Sequence, residues 1–153
     1  MGTQQILLIV LSVIIVGAAI AVGIQMFNNQ AYSANKSAIA ADAQSFASQV
    51  VQYFKTPTSQ GGAGGKAENM TDAKIGSFIG WGGADTNIDG KSYIIGTVAA
   101  DAVTIYGLGN EVKDGKRPAV RTIVTLSSGK INATVIDTEK TSASTLADSE
   151  FGS

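Results

Sequence analysis

Residues Ile6–Ile24 read ILLIVLSVIIVGAAIAVGI, 19 positions without a charge and with one hydroxyl, Ser12. A helix needs about 20 apolar residues to cross the hydrocarbon core of a bilayer. With the first 30 residues set aside, about 120 remain, enough for a modest single core. The run does not stop at a breaker. It passes through Gln25, Met26 and Phe27 into a more polar stretch that keeps helical spacing as far as Pro57. Lys36 is the first charged side chain.

From Ile39 the apolar residues fall at intervals of three and four: Ile39, Ala43, Phe46, Val50, Tyr53 and Phe54. That spacing makes one stripe along a helix. Asn35, Lys36, Ser37, Asp42, Gln44, Ser45 and Gln49 occupy the other faces. Lys55-Thr56-Pro57 closes the helix, because the residue before proline is pushed out of helical geometry. The pattern predicts one helix over about 2–55, roughly 80 Å long at 1.5 Å per residue. Gly17 and Gly23, with Ala18, Ala19 and Ala21, make a small-residue patch that favours close helix–helix approach.

Residues 58–91 read as loop. Gly61, Gly62, Gly64 and Gly65 suggest a flexible stretch, Gly80, Gly82 and Gly83 flank Trp81, and Thr71–Ile79 suits one short helical turn. Four β-branched runs follow: Ser92–Ala99, Ala102–Leu108, Ala119–Leu126 and Lys130–Ile136. Turn residues bound each of them. The expected fold is therefore α+β, a long N-terminal helix whose second half packs on a four-stranded antiparallel meander. Three parts are expected: 1–28 a transmembrane or filament-core helix, 29–136 the globular domain, and 137–153 a polar surface tail or irregular edge.

The charge balance excludes several classes. A net charge of −1 gives no general basic field for nucleic acid. With no cysteine there is no thiol chemistry, and with no histidine the commonest general base is gone. No nucleophile–base pair or phosphate loop appears, so an enzyme is not expected. The aromatics Phe27, Tyr32, Phe46, Tyr53 and Phe54 read as core and interface residues rather than an electron path. Lys113, Lys116, Arg117 and Arg121 form a small basic cluster, read as a solvated turn. Asn35, Asn69 and Asn132 each open an N-x-[ST] triplet, and Thr141–Thr145 is hydroxyl-rich. One metal candidate stands out. Asp85, Asn87 and Asp89, followed by Gly90, match the opening half of a calcium loop. Gly96 stands where the bidentate glutamate belongs, so the segment reads first as a turn before a strand. Beyond calcium no cofactor is expected.

The opening Gln4-Gln5-Ile6-Leu7-Leu8-Ile9-Val10, the Ile/Val/Gly/Ala run and the amphipathic continuation to residue 55 resemble a type IV pilin-like subunit. The resemblance implies a structural role. The precursor would sit in the inner membrane, and its helix would later pack with copies of itself in a filament on the cell surface. The pilus assembly machinery would be a further partner. The residues placed in the filament core are Gln5, Ile6, Leu7, Val10, Val13, Ile14, Gly17, Ile20, Gly23, Ile24 and Phe27. The chain departs from the family in several places. Gln5 stands where a glutamate is usual, no proline interrupts the helix, and the two-cysteine loop is missing. The opening Met1–Gln5 has no basic residue, which suits neither a secretory signal nor the family's leader; a chain whose leader is already removed, or a divergent branch, is expected. The alternative reading is a membrane-anchored pseudopilin or binding module that forms no long filament.

Overall fold

The computed structural model describes residues 2–83 and 85–152. Helix α1 runs unbroken from Gly2 to Lys55, with no interruption at Gly17 or Gly23. Five strands follow the short helix α2 (Asp72–Phe78): β1 (Asp85–Ile88), β2 (Lys91–Val98), β3 (Ala102–Leu108), β4 (Arg117–Thr125) and β5 (Lys130–Thr138). They form one antiparallel sheet in sequence order. The meander expected from the sequence is present, with five strands instead of four. The extra strand is β1, which pairs Asp85 with Ile94 and Asn87 with Ser92. Its four residues carry a single large apolar side chain, Ile88, so no β pattern marks it. Asp89 and Gly90 form the turn to β2, both with positive φ (51° and 77°), the backbone that tight hairpins require.

The sheet packs on the second half of α1, and a regular progression relates the two. Val124 belongs to the same core as Ala47 and Val50. Val120 meets Ile39 and Ala43. Asp137, paired with Pro118 at the start of β4, accepts a hydrogen bond from Tyr32. Strand β4 therefore follows the helix, and descending residue numbers on one match descending numbers on the other. Ala43 and Ala47 are fully buried; their small side chains bring the helix backbone close to the sheet. At the upper end Phe46 lies edge-on to both Trp81 and Tyr93, with ring centroids 5.1 Å apart in each pair.

Two expectations about irregular chain are corrected. The glycine-rich stretch after Pro57 is a cap rather than a flexible linker. The N–H groups of Ala63, Gly64 and Gly65 donate to the carbonyls of Tyr53, Thr56 and Phe54 at 2.7–3.0 Å. These are the carbonyls that the end of a helix leaves without partners. A Cβ at Gly62 would collide with the Thr56 carbonyl, so the tight return needs glycine there. The segment after β5, expected as a surface tail or an irregular edge, is packed on the sheet. Ala143, Leu146 and Phe151 are buried against Tyr106, Leu108 and Ala119, on the sheet face opposite α1. That cover explains why β3 is buried on both faces. Arg121 holds the segment down through Asp148 and the Gly152 carbonyl, and its guanidinium lies 5.2 Å from the Phe151 ring centroid. The Tyr106 hydroxyl donates to Asp148 at 2.8 Å; burial first, then this bond, pushes its pKa up to about 12.

Removing the Phe151 ring should leave a cavity over Tyr106. Phe151→Ala is expected to destabilise the domain by about 3 kcal/mol. Urea unfolding followed by Trp81 fluorescence, with the chain in mild detergent, checks it.

Candidate membrane and assembly surface

The first half of α1 stands clear of the domain. None of its most apolar 18-residue window is buried. Ile6, Leu7 and Phe27 are 63%, 67% and 71% exposed. The other residues expected in the filament core, Gln5, Val10, Val13, Ile14, Gly17, Ile20, Gly23 and Ile24, are exposed as well. Ile6–Phe27 makes a rod about 33 Å long and roughly 10 Å across, with about 1,000 Å² of side wall. Exposed apolar patches above a few hundred Å² mark a membrane or interaction surface. From Ile6 to Ile24 this rod is apolar on every side apart from Ser12, so it needs an apolar medium or apolar neighbours all round. Ser12 removes its one hydroxyl from the problem by donating to the Ile9 carbonyl at 2.8 Å. At Gly17 and Gly23 an added Cβ would meet nothing, so neither glycine is required by contacts within the chain.

Where the rod enters the domain, polar residues take over. Gln25, Asn28, Asn29 and Gln30 are exposed. The connection between β3 and β4 comes alongside them. Val112, Lys113 and Asp114 share a cleft of about 390 Å³ with Gln25, Asn28 and Asn29. Lys113 and Lys116 exchange backbone hydrogen bonds at 2.9 Å around a turn at Asp114 and Gly115. Asn35 ties the base of this hairpin to the helix by donating to Asn110 at 2.7 Å. Gly109 sits against the same side chain: a Cβ there would collide with Asn35.

Two acidic residues fasten helix to sheet above this level, both outside the apolar rod. Asp137 accepts from Lys36 at 2.9 Å and from Tyr32 at 2.8 Å. The Lys36 ammonium holds its carboxyl below the usual range. Asp42 accepts from Lys91 at 2.6 Å and Tyr93 at 2.7 Å. Burial pushes its pKa up, but the two hydrogen bonds outweigh burial and leave it lowered. The sequence gives no sign of either cluster, because the partners lie about 50 and about 100 positions apart.

The other candidates are dispersed. Asp85 and Asn87 lie on the exposed face of an extended strand, and Asp89 is in the following turn. Extended geometry spaces alternate side chains about 7 Å apart, unlike a loop curled around a cation. Among the described residues no cluster of three or more acidic, histidine or cysteine side chains could hold a metal. The basic cluster is split. Arg121 is on the far face of the sheet, and Arg117 donates to the Gly109 and Asn110 carbonyls. Of the three N-x-[ST] asparagines, Asn35 and Asn69 donate their amide N–H groups within the fold, whereas Asn132 is exposed on the edge strand β5. No family model, curated protein or solved structure matches the chain.

The carboxylates Asp42 and Asp137 have folded-state pKa values below their ordinary 3.8. Their contribution is present above that value and is lost as pH falls through the lowered folded value. The melting temperature should therefore drop as pH falls below about 4. A thermal melt series from pH 6 to pH 2 checks it, and Asp137→Asn should flatten that slope.

Proposed function

We propose that this chain is a structural subunit that polymerises through residues 6–27 into an extracellular filament of the type IV pilus kind. The observation that carries the reading is the bare apolar rod, continuous with a helix that is locked to a folded sheet. A membrane anchor needs only a span; here the span and the domain share one helix without a joint, so copies that pack their rods in parallel also fix the positions of their domains. The uncharged sequence up to Lys36 supports it, since a packed core of rods would bury no unpaired charge. A long N-terminal apolar helix over an antiparallel sheet is the arrangement such subunits use. Before assembly the same rod would sit in the inner membrane.

One observation favours the second reading, a membrane-anchored module that forms no long filament. The rod's length of about 33 Å already matches a bilayer core, so a membrane satisfies it without any second copy.

A charge in the middle of the rod separates the two. Thirteen of the 19 residues from Ile6 to Ile24 are Ile, Leu or Val. On an insertion scale they contribute about −5 kcal/mol, against about +3 kcal/mol for one central lysine. Val13→Lys should therefore remain in the membrane, while a bundle of rods would bury one lysine per copy. Electron microscopy of a sheared cell-surface fraction, with mass spectrometry of the same sample, should find filaments of this chain in the parent and none in Val13→Lys. A membrane fraction holding all of the parent chain, with no filament, would leave the anchored module as the function.

A further inference from the structure

The hairpin tip between β3 and β4 has no task in the fold. Val112 is 53% exposed, and Glu111, Lys113, Asp114, Gly115 and Lys116 are exposed around it. Its position is nevertheless fixed. Asn35 holds its base, Gly109 packs on Asn35, and a two-residue turn closes its end. The strand β4 that leads out of it follows α1 step by step, so the hairpin continues down the helix past Tyr32 to the level of Gln25 and Asn28. That is the level at which the apolar run ends. With Ile6–Phe27 spanning the hydrocarbon, Val112 comes to the upper margin of the bilayer and the two lysines to the height of the phosphates. Long lysine side chains place their stems along apolar surface and their ammonium groups in the polar layer.

We propose that this hairpin is a second membrane contact. Val112 enters the interfacial layer, and Lys113 and Lys116 bind phospholipid phosphates while the rod spans the bilayer. The occupant is the lipid headgroup layer, because the apolar span on the same rigid helix brings that layer to the hairpin. The charges facing the two lysines limit the effect. Glu111 and Asp114 lie on the same hairpin, and Asp137 lies across the neighbouring cleft with Tyr32, where it is already paired with Lys36. The hairpin is thus close to neutral. The contact depends on position and short-range phosphate binding, not on a long-range basic field. It fixes the rotation of the domain about the helix axis, which one spanning helix leaves free.

The inference rests on the membrane-spanning half of the proposed function, not on filament formation. The chain has no cysteine, so one engineered cysteine takes a spin label uniquely. Glu111→Cys marks the hairpin and Ser59→Cys marks the exposed far end of the domain. The full chain is reconstituted in dilute phosphatidylcholine–phosphatidylglycerol vesicles. Accessibility of each label to oxygen, which partitions into lipid, is compared with accessibility to a water-soluble nickel chelate. The oxygen-to-nickel ratio should be several-fold higher at residue 111 than at residue 59. Adding Val112→Asp and Lys113→Glu to the labelled chain should return the ratio to the value at residue 59 while the vesicles still carry the chain in flotation. Equal ratios at the two positions in a chain that floats would overturn the contact and leave the span intact. Dipolar broadening at residue 111 that grows with protein density, without a raised oxygen ratio, would assign the hairpin to a second copy and also overturn it. A chain that fails to float would overturn the span and this inference together.

Discussion

The seam between α1 and β4 is the contact on which the other parts depend. Ile39, Ala43, Ala47 and Val50 meet Val120 and Val124, and all six are fully buried. Two of the helix positions are alanine, so the backbone of α1 lies low on the sheet and strand β4 follows it. That alignment sets the height of everything attached to the sheet. It brings Asp137 to Tyr32 and Lys36, Asp42 to Lys91 and Tyr93, and the β3–β4 hairpin to Gln25. A sheet crossing the helix at a steep angle would make none of these pairs.

A rigid seam also makes the apolar rod an extension of the domain rather than a tether. A flexible linker would uncouple the orientation of the rod from that of the sheet. Here helical hydrogen bonds run from Gly2 to Lys55. One backbone carries both halves: past the apolar run, exposed amides begin at Gln25 and charged side chains at Lys36, and no charged side chain precedes Lys36. The change from apolar to polar surface is written along a single helix, and the band Gln25–Gln30 marks where it happens.

The parts legible in the sequence are those with a period. The helix over 2–55 and the stripe from Ile39 to Tyr53 follow from intervals of three and four. Strands β2 to β5 follow from β-branched runs between turns. What escaped has no period. Strand β1 is four residues of mostly polar chain, held by pairing with β2 and by Ile88 against the core. The Gly61–Gly65 cap is composed like a linker, yet its N–H groups answer carbonyls that only the finished helix end presents. Leu146 and Phe151 are isolated apolar residues among serines and threonines, and their burial depends on the Tyr106–Ala119 surface that the sheet creates. The apolar rod was the most legible stretch of all, because a run of 19 uncharged residues needs no partner to be recognised.

In the proposed filament, the energy of assembly has an unusual source. Moving the rod from lipid into a bundle of rods removes no apolar surface from water, since lipid tails are as apolar as leucine. The usual gain of about 25 cal/mol per Å² therefore does not apply to that step. What remains is van der Waals packing between rods, which Gly17, Ala18, Ala19, Ala21 and Gly23 would let approach closely, together with contacts between domains. The domains must then contribute through their surfaces, and the rigid seam is what lets them. Because rod and sheet cannot rotate independently, every rod packed at the centre carries its domain in a fixed orientation at the rim. A set of individually weak domain contacts then adds up along the polymer without a separate ordering cost for each subunit.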